Sequence, residues 1–121
     1  ILVADDSEDI RVPLVILLGK RYSVVESVVN GQLLMEELLR SDVSYDFVIT
    51  DYYMVPGMTG LEALEKIRAT EKLRNIPVIV LTEGGHVGLK EKVEELNAVF
   101  MTKSSGIEKL YAKIEEMCGK K

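Results

Sequence analysis

The sequence predicts a three-layer α/β fold, in which a five-stranded parallel sheet is doubly wound with five helices on its two faces. Two observations carry this. Apolar runs of strand length, rich in Val and Ile, recur five times, and they are nearly continuous instead of alternating, the pattern of strands covered on both faces. Between them lie segments with the spacing of a single helix face, so strand and helix alternate along the chain and right-handed crossovers follow. A length of 121 residues suits one domain over 1–121. The 47% hydrophobic and 29% charged fractions exclude the composition of disordered chains.

The elements follow in order. Ile1 to Ala4 forms the first predicted strand. The first helix has Ser7 as its cap and Pro13 beyond its first turn, where the ring removes a hydrogen bond and kinks the helix. Tyr22 to Val25 is the second strand. Asn30-Gly31 resembles a hairpin turn, but Leu33, Leu34, Leu38 and the Glu36-Glu37 pair read better as a second helix than as a return strand. Asp46 to Thr50 is the third strand. Leu61, Leu64 and Ile67 stripe the third helix, with Glu62 and Lys66 as a solvent-facing i,i+4 pair. Pro77 to Thr82 is the fourth strand, Leu89, Val93 and Leu96 mark the fourth helix, and Ala98 to Met101 is the fifth strand. Ile107, Leu110, Ile114 and Met117 line the last helix.

Charge and composition narrow the function. Fifteen basic against twenty acidic residues leave a net charge of -5, so there is no general basic field for nucleic acid. The longest apolar run, Leu14 to Leu18, falls far short of the ~20 residues that cross a bilayer. Asp5-Asp6 follows Ile1 to Ala4 too closely for a signal peptide, and the expectation is a cytoplasmic chain with no membrane partner. The one cysteine, Cys118, cannot form an internal disulfide, in agreement with a reducing compartment.

Ligands of open parallel sheets bind beyond the carboxyl ends of the strands. The first strand ends in Asp5-Asp6, the third in Asp51, the fourth in Thr82 and the fifth in Thr102-Lys103. Converging carboxylates repel by about 4 kcal/mol per pair at about 4 Å in an effective dielectric of about 20. Mg2+, a hard cation that binds through one or two carboxylates and keeps several waters, offsets that repulsion, and Lys103 adds a positive charge. A carboxylate held in this way is a usable nucleophile toward phosphorus.

Val3-Ala4-Asp5-Asp6-Ser7, Asp46-Phe47-Val48-Ile49-Thr50-Asp51, Pro56-Gly57-Met58-Thr59-Gly60, Ile76-Pro77-Val78-Ile79-Val80-Leu81-Thr82 and Lys103 together resemble the receiver domain of two-component response regulators. The resemblance spans the whole chain. It implies a CheY-like, flavodoxin-like sheet of strand order 2-1-3-4-5. It further implies that Asp51 accepts a phosphoryl group from a sensor histidine kinase or phosphotransfer protein, and that Asp5, Asp6, Asp51 and the Tyr53 carbonyl hold Mg2+. Thr82 then donates its hydroxyl to one phosphoryl oxygen and Lys103 pairs with another. Phe100 matches the family's switch aromatic, which turns inward with Thr82 and changes the surface of the fourth helix, fifth strand and fifth helix toward a downstream effector or output domain. A homodimer through that surface stays open. Such a domain phosphorylates and dephosphorylates itself without being a turnover enzyme.

The chain departs from the family pattern at three places, of which the first two, Val55 and Glu83, keep a second reading alive, a degenerate receiver that acts only as a protein-interaction module. Val55 lengthens the loop after Asp51 by one residue, Glu83 sets a carboxylate beside Thr82, and Ser104 follows Lys103 where the family commonly has Pro. An aspartyl phosphatase would want Asp-x-Asp after the first strand, and a flavin module would want hydroxyls and glycines there; Asp5-Asp6 fits neither. Plainer roles exist for each residue. Asp5-Asp6 could cap the first helix, Phe100 and the methionines Met54 and Met58 could be core, His86 sits in a glycine loop, and Cys118 suits packing.

Overall fold

A computed structural model of the chain describes residues 1–22, 25–40, 44–54, 58–83 and 88–117. Strands β1 (Leu2–Ala4), β2 (Glu26–Val28), β3 (Val48–Asp51), β4 (Val78–Thr82) and β5 (Val99–Thr102) alternate with helices α1 (Glu8–Gly19), α2 (Gly31–Leu38), α3 (Gly60–Ala69), α4 (Leu89–Glu95) and α5 (Ile107–Met117). All four strand pairs are parallel, in the order β2-β1-β3-β4-β5. This is the flavodoxin-like arrangement.

Side chains alternate across the sheet and so sort into two layers. Leu2, Ala4, Val48, Val78 and Val80 face α2, α3 and α4, where they meet Leu34, Leu38, Leu64, Ile67 and Val93. Val3, Ile49, Ile79 and Leu81 face α1 and α5, where they meet Leu14, Leu18, Leu110 and Ile114. Every residue of β1, β3 and β4 is buried. That is why these three strands read as nearly continuous apolar runs. A second tie joins the α1 and α5 layer: the Tyr111 hydroxyl donates to the Leu17 carbonyl at 2.6 Å, the Arg21 guanidinium lies 4.4 Å from the Tyr111 ring centre, and Arg21 pairs with Glu115 at 3.3 Å.

The second strand departs from expectation. It runs over Glu26–Val28 instead of Tyr22 to Val25, with Leu2 opposite Glu26. The Tyr22 amide still donates to the Leu18 carbonyl at 2.9 Å, so the chain is closing the end of α1 at that point. Tyr22 and Val25 are apolar because they pack beneath the α1 and α5 layer, whereas Glu26 and Ser27 form an exposed edge. The other strands begin one or two residues later than the sequence suggests, and β3 and β5 extend one residue further, through Asp51 and Thr102.

Helix ends show where local chemistry acts. Ser7 occupies the N-cap position of α1, yet its side chain makes no capping bond there, and α1 continues through Pro13 as one element. Asn30 is the N-cap of α2 and accepts from the Leu33 amide at 2.8 Å, so Asn30-Gly31 starts a helix instead of turning a hairpin. At α3 the Thr59 hydroxyl accepts from the Glu62 amide at 3.1 Å, and the Glu62 carboxylate accepts from the Thr59 amide at 2.9 Å. Glu62 thus completes a capping box instead of the expected pair with Lys66. Thr59→Ala should lower stability by about 1 kcal/mol, read as the midpoint of chemical unfolding at unchanged slope.

Candidate functional site: an acidic pocket at the carboxyl edge

Parallel register brings the carboxyl ends of four strands to one edge. Ala4 pairs with Thr50, Asp51 with Leu81, and Thr82 with Thr102. Asp51 and Thr82 are the last residues of β3 and β4, while Asp5 follows β1 and Lys103 follows β5. Asp5, Asp51 and Thr82 are buried, and Asp6 and Lys103 are half-buried. Strands that must be apolar to pack therefore deliver polar side chains into the least exposed part of the edge.

Lys103 sits at the centre. Its Nζ donates to Asp5 Oδ2 at 3.1 Å and lies 3.0 Å from Asp51 Oδ1. One carboxylate oxygen from each of Asp5, Asp6 and Asp51 lies within 4.8 Å of the others. Three carboxylates against one ammonium leave two negative charges, and the donors are all oxygen, so the residues present fit a hard divalent cation.

Burial and neighbouring charge both shift the proton affinities of the pair. Burial pushes the Asp51 carboxyl above its ordinary range; the Lys103 hydrogen bond pulls it down, and the charges of Asp5 and Asp6 add to the rise. Burial by itself would lower the Lys103 ammonium, but its hydrogen bond to Asp51 and the charges of Asp5 and Asp51 outweigh burial and raise it. Both partners hold a proton more tightly, Asp51 chiefly through burial and Lys103 through the carboxylates beside it. For Asp51 the folded chain binds the proton better than the unfolded chain does. Its ionised form weakens the fold at neutral pH, and that penalty disappears as pH falls through the raised value.

Backbone contacts fix this geometry. The Ser7 amide donates to Asp5 Oδ1 at 2.9 Å, which locks the turn between β1 and α1 and aims Oδ2 at Lys103. Arg11 Nη1 donates to the Asp5 carbonyl at 3.2 Å. Behind Asp51, the Gly60 amide donates to the Tyr52 carbonyl at 2.6 Å, and a Cβ at position 60 would overlap the Asp51 carbonyl oxygen. The start of α3 is thus pressed directly onto the peptide that carries Asp51.

Of the residues singled out in the sequence, Asp5, Asp6, Asp51 and Lys103 come together, and Thr82 ends the strand that runs between β3 and β5. Phe100 is half-buried and packs against the layer shared with α3 and α4. Tyr53 is 62% exposed just beyond Asp51, and Glu83 is exposed beside Thr82. Val55, Pro56, Gly57, Gly84, His86 and Cys118 lie outside the described residues. Sequence reasoning did not find Ser7 as a backbone donor, Arg11 as a clamp, or the contact role of Gly60. The available signals were Ser two residues after Asp5, an Asx-turn spacing, and Gly directly after the Thr59 cap.

Comparison with known proteins agrees with this geometry. The response regulator receiver domain family matches residues 1–115. The two-component response regulator ORR11 of Oryza sativa subsp. indica is 31% identical over 118 residues, covering 94% of this chain and 79% of that protein. A DNA-binding response regulator of the LuxR family from Staphylococcus aureus is similar in structure, with a TM-score of 0.80 and 29% identity over 95% of this chain and 94% of that chain. The Mn2+-bound form of response regulator Rcp1 shares the fold, with a TM-score of 0.74 and 23% identity over 96% of this chain and 88% of that chain.

Two predictions follow from charge and contact. In the absence of divalent cations, Asp51→Asn should raise stability by on the order of 1 kcal/mol, because it removes the ionised form that burial and Asp5 disfavour. Thermal melts with EDTA and with added Mg2+ check it: the cation should stabilise the parent more than the variant. Gly60→Ala should cost about 1–3 kcal/mol and weaken Mg2+ binding through the shifted Asp51 peptide, measured by unfolding and by calorimetric titration.

Proposed function

This chain belongs to the response regulator receiver domain family, and on that premise we propose that it is the phosphoacceptor receiver of a two-component system, one unit over 1–121 that is phosphorylated on Asp51. The donor is a sensor histidine kinase or a phosphotransfer protein. An Asp51 carboxylate oxygen forms the bond to phosphorus as the phosphorus–nitrogen bond of the phosphohistidine breaks, and the ring leaves as neutral imidazole, keeping the proton already carried on its other nitrogen. Asp5, Asp6, Asp51 and the Tyr53 carbonyl would hold Mg2+, which supplies charge neutralisation for the phosphoryl oxygens. Lys103 pairs with one phosphoryl oxygen, and the Thr82 hydroxyl donates to another. These groups act by position and charge, the main levers of phosphoryl transfer.

The observation that carries this reading is the single ammonium shared by Asp5 and Asp51 inside an all-oxygen cluster. An apolar groove formed by Pro13, Leu14, Leu17, Ile107 and Leu110 runs beside Lys103, and Val12 and Ile16 are exposed on α1, which supports docking of the donor next to the pocket. Once Asp51 is modified, Thr82 moves toward the phosphoryl group and Phe100 turns inward. The α4-β5-α5 surface then changes its affinity for a downstream effector, an output domain or a second copy. The chain acts as a switch and not as a turnover enzyme, and its place is the cytoplasm. Among the described residues no helix is long and apolar enough to cross a membrane.

Intact-mass measurement after incubation with Mg2+ and acetyl phosphate tests the reading, with Asp51→Ala as the control. The parent should gain one phosphate and the variant none, and EDTA should abolish the gain. No gain with any phosphodonor would instead favour a receiver that works only through protein contacts, the role that the Glu83 carboxylate beside Thr82 keeps open.

A further inference from the structure

Arg68 stands at the last turn of α3, on the far side of the molecule from the acidic pocket, and its guanidinium is spent on main-chain carbonyls. Nε donates to the Leu96 carbonyl at 2.6 Å and Nη2 to the Asn97 carbonyl at 3.1 Å. Nη1 donates to the carbonyls of Arg74 at 3.0 Å and Ile76 at 2.7 Å. Leu96 caps the carboxyl end of α4, and Asn97 just beyond it has a positive φ of 58°. Carbonyls at a helix end lack intrahelical donors and carry the negative pole of the helix dipole, so a cationic fork there is favoured twice over. The other two carbonyls belong to the segment that leads into β4. One side chain thus ties together α3, the carboxyl end of α4 and the approach to β4.

The opposite end of α4 is built differently. Its N-cap is Gly88, in left-handed conformation with φ of 81° and no side-chain capping bond. That is also the end reached by the chain coming from Thr82. Leu89 and Val93 seat the helix on the sheet, and its Lys90–Glu94 pair is internal to the helix. At its other end α3 begins with Gly60, pressed on the Asp51 carbonyl. A helix of ten residues, about 15 Å long, therefore connects the peptide of Asp51 to the clamp on α4.

We propose that Arg68 is a positioning residue that pins the carboxyl end of α4 to α3 and to the approach to β4, so that α4 answers a change at Asp51 by swinging at its Gly88 end about that pin. The inference rests on the phosphoacceptor reading above. A lysine cannot replace Arg68, because one compact ammonium with three donors does not reach the four carbonyls that the guanidinium fork engages. Loss of the fork leaves helix-end carbonyls without their charged donor and frees the pinned end, while the acidic pocket keeps all its groups.

Residue-resolved hydrogen exchange on the parent, Arg68→Lys and Arg68→Met, before and after treatment with acetyl phosphate and Mg2+, tests the pin, with intact mass recording phosphate uptake. In the parent, the change on phosphorylation should concentrate in residues 88–92 and leave 96–99 nearly as they were. In both variants exchange over 96–99 should rise by about tenfold or more before any phosphorylation, and the phosphorylation response should spread into that segment, with uptake at the parent level. Uptake by the parent with equal responses at the two ends of α4 overturns the pin alone, as does a rise in the variants spread evenly over the sheet. Absence of uptake by the parent overturns the phosphoacceptor reading and the swing with it.

Discussion

The Lys103 ammonium, held between the buried carboxylates of Asp5 and Asp51, is the interaction on which the rest depends. Its attraction for each carboxylate is about 5 kcal/mol at such a separation in an effective dielectric of about 20, and several kcal/mol per ion are lost again by removing the charges from water. The bridge therefore contributes little to net stability. What it does is let two carboxylates stand side by side at the ends of strands whose residues are all buried. Asp5 and Lys103 are separated by 98 positions in sequence, so the contact exists only when β1, β3, β4 and β5 have all taken their places. Correct assembly of the sheet and assembly of the pocket are one event.

The central strands owe their legibility to burial on both faces, while the edge strand β5 was legible from a half-buried Val-Phe-Met run. Leu2–Ala4, Val48–Asp51 and Val78–Thr82 lie inside the sheet, and their nearly continuous apolar character, broken only toward their carboxyl ends, follows from having helices above and below. The edge strand β2 escaped the same reasoning because Glu26 and Ser27 face solvent, while the apolar residues Tyr22 and Val25 just before it pack as a connecting segment. Hydropathy reports burial, and at an edge burial and strand pairing part company. Asn30 shows a related ambiguity: the same side chain that suits a tight turn also accepts from a helix amide, and only the leucines that follow distinguish the two.

In the pocket, Asp5, Asp6, Asp51 and Lys103 were legible because each stands where a predicted strand ends, and topology alone sends those ends to one edge. The residues that hold the pocket in shape were not. Ser7 contributes its amide and Gly60 contributes the absence of a side chain; away from the pocket, Arg68 likewise acts only on main-chain carbonyls, those of four other residues. Main-chain partners have no residue-type signature, and the spacings that accompany them, Ser two residues after Asp5 and Gly directly after the Thr59 cap, recur in many turns and name no role by themselves. The three departures from the family pattern divide in the same way. Glu83 is exposed beside Thr82 and Ser104 lies in a 3-10 turn, whereas Val55 falls outside the described residues.

The tie between Tyr111 and Leu17 spans 94 positions, and it closes a layer made from the first helix and the last. A polypeptide emerging from the ribosome displays Val3, Leu14 and Leu18 long before Leu110 and Ile114 exist to cover them. Contacts of such sequence separation slow folding, and the uncovered face is the kind of surface to which chaperones bind. Nascent chains halted before α5 would therefore be sticky and protease-sensitive, and synthesis of α5 would be the moment at which this layer of the receiver is covered.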